Sequence, residues 1–141
     1  GMMGYGLLTP IEDGLVPQDG HRIVMVGDSI TDSADWRHGY VNNILDVLTA
    51  LYPCRQIIII NSGKSADTVT RLSERLVEDV LSENPQIVTI NIGVNDVWWA
   101  GTSLQTYSDT YGSVVDTILQ QGGIALVTST MITFIRSGSW R

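Results

Sequence analysis

The sequence contains few of the residues that disulfide frameworks, nucleic-acid surfaces and membrane spans require. Its 141 residues include a single cysteine, Cys54, which excludes an internal disulfide and a cysteine-based zinc site. Lysine and arginine together number 8 against 15 aspartates and glutamates, so the net charge is −7. Nucleic acids and anionic membranes bind basic surfaces, and we therefore expect neither as a partner. No apolar run approaches the roughly 18 residues of a membrane-spanning helix.

The N-terminal part lacks both basic residues and regular periodicity. The first basic residue is Arg22, so we expect no secretory signal and a cytoplasmic location. Gly1 is interpreted as the remnant of a purification tag, because it stands directly before a methionine. Residues 1–20 are rich in glycine and predict an irregular lead-in. A chain of this length allows one domain, which we place at residues 21–141.

What the sequence does contain is a regular alternation of strand and helix patterns. Short β-branched runs, typical of strands buried on both faces, occur at His21–Gly27, Gln56–Asn61, Gln86–Ile92 and Gly123–Ser129. Between them, apolar residues recur at helical spacing over residues 41–51, 69–80 and 104–118. Strands that alternate with helices of this length predict parallel βαβ units. The fold class is therefore α/β, a three-layer αβα arrangement around a parallel sheet.

Polar residues follow three of these strands, in the loops where α/β proteins bind ligands. Ser29 follows the first strand, and a serine at a strand-to-helix turn exposes its hydroxyl while its N–H can stabilise an oxyanion. Gly63 follows the second strand and can offer its N–H to a ligand at close approach. Asn95 follows the third strand and offers a side-chain amide. Each loop alone also suits an ordinary turn, since Gly, Ser, Asn and Asp are favoured there.

Together the three loops resemble the conserved blocks of the SGNH, or GDSL-type, serine hydrolase family. The resemblance covers about residues 21–130, with the blocks in the right order and each at the end of a predicted strand. The matching blocks are Gly27-Asp28-Ser29-Ile30 for Gly-Asp-Ser-[Leu/Ile], Gly63 for the glycine of the second block, and Gly93-Val94-Asn95-Asp96 for Gly-x-Asn-Asp.

The resemblance implies an acyl-transfer reaction on a small-molecule ester. Ser29 is the implied nucleophile, and the implied oxyanion hole consists of the backbone N–H groups of Ser29 and Gly63 with the side chain of Asn95. Asp28 and Asp96 are implied supporting residues. Neither a metal nor an organic cofactor is expected.

The fourth block of the family, Asp-x-x-His, has no match in the sequence, so we expect the fifth strand of the usual flavodoxin-like sheet to be missing. Neither of the two histidines in the sequence lies near the C-terminus, where the family has this block. His21 precedes the first strand, at the wrong end of the sheet, whereas His38 lies nearer Ser29 and is a candidate surrogate base, with a solvated or capping histidine as the alternative. A serine without a base is a poor nucleophile, and we therefore expect weak or no esterase activity.

Surface features lead to two further expectations. Without a fifth strand, the fourth strand becomes an exposed edge, and we expect it to pair with a second copy in a homodimer or to be covered by residues 131–141. Trp98 and Trp99 are candidates for lining an acyl or sugar pocket, with packing of the loop as the alternative. Aspartates at positions 28, 32 and 35 disfavour an anionic substrate.

Two other functions are compatible with the sequence. A flavodoxin-like module would bind a nucleotide or phosphate through residues 27–32, although Asp28 and Asp32 repel anions and no nearby lysine or arginine compensates. A non-catalytic pseudoenzyme would bind a partner through the exposed sheet edge. The leading prediction is an esterase-type, or lipase-type, hydrolase scaffold.

Overall fold

The computed structural model describes residues 16–35, 37 and 39–128, with the backbone alone at position 35. Its strands are β1 (Arg22–Gly27), β2 (Ile58–Gly63), β3 (Ile87–Asn91) and β4 (Ile124–Val127). Its α-helices are α1 (Ser29–Asp32), α2 (Tyr40–Leu51), α3 (Val69–Arg75) and α4 (Leu104–Gln120). Shorter turns of 3₁₀ or π geometry occupy Ser33–Asp35, Leu76–Val80, Leu81–Glu83 and Asp96–Ala100.

The four strands form one parallel sheet in the order β2-β1-β3-β4. Successive side chains of β1 point to opposite faces. Ile23 and Met25 belong to the apolar cluster that includes Val41 of α2. Val24 belongs to the cluster on the other face, with Leu72 of α3 and residues of α4. Helices therefore cover both faces, and the predicted three-layer α/β class is confirmed.

β4 begins at Ile124 and ends at Val127, within the run predicted at Gly123–Ser129. Two other elements differ more from the sequence prediction. The sequence predicts the second strand at 56–61, but β2 runs from 58 to 63, because its ladder with β1 extends to the pair Gly27 and Gly63. The helix expected over 69–80 keeps α geometry only to Arg75 and then widens into a π turn. The change of geometry still leaves Leu76 and Val80 buried against the sheet.

β4 forms one edge of the sheet in the described part of the chain. Its last two residues, Leu126 and Val127, are exposed. Pairing of this edge with a second copy stays a prediction, and residues 131–141 lie outside the described residues. Residues 1–15 of the predicted lead-in also lie outside the described residues. Residues 16–20 contain neither helix nor strand. No helix within the described ranges is long and apolar enough to cross a membrane.

The core predicts a clear stability difference between two leucines. Leu72 is fully buried, so Leu72→Ala leaves a cavity and we expect it to lower the free energy of unfolding by about 2–5 kcal/mol. Leu104, at the start of α4, is 83% exposed, and Leu104→Ala should change stability by less than about 0.5 kcal/mol. Urea unfolding measures both values, and equal losses would contradict the described packing.

Candidate active site

The three polar loops meet because β1, β2 and β3 end at the same level. Gly27 pairs with Gly63 on one side and with Asn91 on the other. A Cβ on Gly27 would lie 2.8 Å from the carbonyl oxygen of Asn91 and still closer to the side chain of Thr31, so only glycine fits. The Lys64 N–H donates to the Gly27 carbonyl at 3.0 Å, which joins the second loop to the end of β1.

Ser29 begins the short helix α1, directly after this strand end. The side chain of Asp28 caps the helix by accepting a hydrogen bond from the Ile30 N–H at 3.0 Å. Ser29 itself is exposed, and neither its hydroxyl nor its N–H has a partner within the part of the chain that the structure describes. The hydroxyl and the N–H are therefore both open to a ligand.

Side chains from β2 and α2 fix the position of α1. The buried Thr31 shares a hydrogen bond of 2.6 Å with the hydroxyl of Tyr40, and its carbonyl accepts from Asn61 Nδ2 at 2.7 Å. The backbone of α1 touches Gly63 so closely that a Cβ there would lie 2.6 Å from the Thr31 carbonyl carbon and 2.7 Å from Asp32 Cα. The glycine of the second block is thus required by helix packing.

The backbone donor expected at Gly63 already has a partner. Its N–H donates to Asn61 Oδ1 at 2.8 Å, so its place in an oxyanion hole stays a prediction. Sequence reasoning missed Ala66, three residues further on. Ala66 is exposed, adopts a left-handed φ of 62° and donates its N–H to no partner among the described residues. Because alanine rarely adopts this conformation, no sequence signal indicated it.

Asn95 and Asp96 hold the third loop against the second. Asn95 Nδ2 donates one hydrogen to the Asp67 carbonyl at 2.8 Å, which leaves its second hydrogen available, because an amide nitrogen carries two. Asp96 is buried and accepts from the Val69 N–H at 3.0 Å and from Thr102 Oγ1 at 2.8 Å. Asp96 thus ties its own loop to the start of α3.

Three buried carboxylates lie beneath the loops, at Asp28, Asp67 and Asp96. Asp67 pairs with the Arg75 guanidinium at 2.8 Å, whereas Asp28 Oδ2 has no partner within the described residues. Burial raises the pKa of Asp28, and the charges of Asp67 and Asp96 raise it further. The three acids are thus close enough for their charges to act on one another.

A base for Ser29 is not found near it in the described structure. His21 accepts a hydrogen bond from the Gln18 N–H at its Nδ1, at the amino end of β1. Ser29 follows the carboxyl end of this strand, and six extended residues span about 20 Å. His38, the candidate surrogate, lies outside the described residues. No group of three or more potential metal ligands occurs within the described ranges either.

The two tryptophans after Asp96 face solvent. Trp98 is 71% exposed and Trp99 is 50% exposed, so neither belongs to the core. The guanidinium of Arg71 lies 5.3 Å from the centroid of the Trp99 ring, which is within the range of a cation–π contact. Their role as pocket lining stays a prediction.

The four-stranded parallel sheet, with helices on both faces and polar loops gathered at one end, has the α/β fold of the solved SGNH-type hydrolases to which it is similar. The family model described as GDSL-like lipase/acylhydrolase matches residues 25–140. The chain therefore belongs to the GDSL-like lipase/acylhydrolase family.

Similar proteins include an acetylxylan esterase from Geobacillus stearothermophilus, 39% identical over 90 residues, which are 56% of this chain and 41% of that protein. The solved structure of the acetylxylan esterase Axe2 from the same organism is 29% identical, with a TM-score of 0.72, over 80% of this chain and 61% of that one. LAE5, an α/β hydrolase from the metagenome of Lake Arreo, is 26% identical with a TM-score of 0.69, and the match covers 80% of this chain and 62% of that one. The chain thus spans less than two thirds of these relatives. Other solved forms of Axe2 include catalytic mutants with alanine in place of a serine, an aspartate or a histidine.

The buried Asp28 predicts a characteristic pH dependence of stability. Because burial raises its pKa in the folded state, its contribution to stability is fully present below the unfolded pKa of 3.8 and is lost as the pH rises through the higher folded pKa. Asp28→Asn removes this titration. We therefore expect the free energy of unfolding of Asp28→Asn, minus that of the wild type, to increase between about pH 4 and about pH 7.

Urea unfolding at several pH values measures this difference. Asp109→Asn removes an exposed carboxylate on α4 and controls for the loss of one negative charge. A difference for Asp28→Asn that is constant, or that decreases as the pH rises, would contradict the buried state of Asp28.

Proposed function

We propose that this chain carries the nucleophile and the oxyanion side of an esterase site. The observation that supports this most is the exposed Ser29 hydroxyl at the start of α1, which has no partner among the described residues. In the proposed reaction, Ser29 Oγ forms a bond to the ester carbonyl carbon and gives its proton to a base. The tetrahedral intermediate then collapses, and the alcohol leaves with a proton. Water afterwards hydrolyses the acyl-enzyme and returns the serine.

The negative charge of the tetrahedral intermediate needs preorganised donors. The N–H of Ser29 and the second hydrogen of Asn95 Nδ2 are two such donors. Gly63 is the third donor by family resemblance, but its N–H is bonded to Asn61. The N–H of Ala66 has no partner in the described part of the chain, and its residue immediately precedes Asp67, which holds Asn95. We therefore include Ala66 as the competing third donor.

We propose weak or no esterase activity for this chain. His21 lies at the far end of β1, and no other described side chain offers an imidazole to Ser29. Removing a member of a serine hydrolase triad leaves only the residual catalysis that the oxyanion hole and substrate binding supply. His38 would raise this activity if it acts as the base.

For the substrate we propose a neutral ester, with an acetylated sugar as the leading class. The named activity of the Geobacillus esterases supports this class for the whole protein. The exposed indoles of Trp98 and Trp99 offer flat apolar surfaces of the kind that bind sugar rings. A net charge of −7 and the buried Asp28 disfavour anionic substrates. A cytoplasmic location is part of this proposal.

Covalent labelling tests the nucleophile. A fluorophosphonate forms a phosphorus–oxygen bond with a reactive serine and releases fluoride, and we expect one adduct, on Ser29, by intact mass and peptide mapping. Ser29→Ala should abolish the adduct, whereas Ser108→Ala, at an exposed serine of α4, should leave its rate unchanged. An adduct that persists in Ser29→Ala would refute the assignment. Absence of any wild-type adduct would favour the pseudoenzyme alternative.

If Asn95 donates to the oxyanion, its removal should lower the reaction rate of Ser29. We expect Asn95→Ala to lower the rate of Ser29 phosphonylation, or of p-nitrophenyl acetate hydrolysis, by about 10²-fold or more, because one donor to the developing oxyanion is lost. Gln105→Ala removes an exposed amide on α4 and serves as the control. Equal rates for the wild type and Asn95→Ala would show that Asn95 is not a donor.

A further inference from the structure

Arg75, at the end of α3, makes contacts that the family blocks do not account for. Its side chain is 10% exposed and lies beneath the second loop. Its Nε and Nη2 donate to Asp67 Oδ2 at 2.9 and 2.8 Å. Nη2 also donates to the Ser62 carbonyl at 2.8 Å, and Nη1 donates to Ser62 Oγ at 3.0 Å. One guanidinium therefore joins residue 62 to residue 67, the two residues that flank the loop 63–66.

The loop between these anchors is closed by its own hydrogen bonds. The Asp67 N–H donates to the Lys64 carbonyl at 3.1 Å, and the left-handed Ala66 lies within this turn. On the opposite side, Ser65 donates to Asp32 Oδ2 from its hydroxyl at 2.7 Å and from its N–H at 3.2 Å. The direction of the Ala66 N–H is therefore set by residues on both sides of the loop.

Asp67 connects this loop to the third one. Its carbonyl accepts the hydrogen bond from Asn95 Nδ2, while its carboxylate is held by Arg75. Asp67 is 1% exposed, and its Oδ1 has no partner within the described residues. Arg75 is thus the cation that compensates this buried charge, and its loss would leave a carboxylate that must move toward water or take up a proton.

We propose that Arg75 is a positioning residue that orients two oxyanion donors, the Ala66 N–H and the Asn95 amide, through Asp67. The inference rests on the proposed function, because that function makes these two groups oxyanion donors. The contacts of Arg75 with Ser62 and Asp67 do not depend on it. Arg75 does not touch the substrate. Its planar guanidinium bonds Ser62 and Asp67 at once, which a lysine ammonium cannot reproduce with the same geometry.

The test compares Arg75→Met and Arg75→Lys with Arg22→Met. Arg22 is a matched control because it also donates to a carboxylate and a carbonyl, both of Glu83, but at the amino end of β1. The first readout is the exchange with water of the Asn95 Nδ2 proton, followed by NMR and assigned by its loss in Asn95→Asp. The second readout is the rate of Ser29 phosphonylation, and thermal unfolding is recorded for every variant.

We expect Arg75→Met to speed exchange at Asn95 by about tenfold or more and to slow phosphonylation by a similar factor, because the donors lose their fixed direction. Arg75→Lys should lie between Arg75→Met and the wild type, and Arg22→Met should change neither readout by more than about twofold. Lower thermal stability in Arg75→Met with both readouts at their wild-type values would show a merely structural role and overturn the proposal.

The two proposals fail in different ways. If Arg75→Met speeds exchange at Asn95 but even the wild type gives no adduct, the esterase proposal fails and the positioning by Arg75 stands. If the wild type reacts but Asn95 exchange is the same in Arg75→Met, the positioning proposal fails alone. Should Arg75→Met not fold, the exchange rate in Arg75→Lys decides, and a wild-type value there overturns the proposal.

Discussion

The close backbone contact between α1 and the ends of β1 and β2 is the constraint on which the rest of the site depends. Gly27 and Gly63 pair at the last position of the β1–β2 ladder, and neither leaves room for a Cβ against α1 or the neighbouring strand. Only this approach allows α1 to begin directly after a buried strand, with its first residue exposed. The hydroxyl of Ser29 is therefore placed by the packing of glycines and not by contacts of its own.

The close packing of the three loops also buries negative charges, which need partners. Bringing three loops together buries the carboxylates of Asp28, Asp67 and Asp96, and each is treated differently. Asp67 has an arginine, Asp96 has a backbone N–H and a hydroxyl, and Asp28 has one backbone N–H and a raised pKa. The Asp96 carboxylate thus connects the third loop to the start of α3, and the Asp67 carboxylate connects the second loop to the end of α3, because a buried charge is stable only where fixed donors meet it.

The fold and the outline of the site could be predicted from local sequence, whereas the connections between the loops could not. Alternating strand and helix patterns sufficed for the α/β class, and short blocks at the strand ends indicated that the loops with Ser29 and Asn95 lie at one edge of the sheet, whereas the roles of these two residues stay predictions. The pairing of Arg75 with Asp67 depends on how the end of α3 approaches the second loop, which no local pattern encodes. The left-handed Ala66 and the hydrogen bond from Gly63 to Asn61 are likewise results of tertiary packing.

An esterase site of this kind has two requirements, donors that hold the oxyanion and a base that activates the serine. The hydrogen bonds between the loops concern only the first of them. The donors that would hold an oxyanion come from backbone and amide groups fixed by β1, β2, β3 and α3, so their geometry is independent of any base. The base instead determines how nucleophilic Ser29 becomes. A chain can therefore keep a preorganised oxyanion side while its reactivity depends on a group placed elsewhere, and binding of a tetrahedral analogue and turnover of an ester report on different parts of the structure.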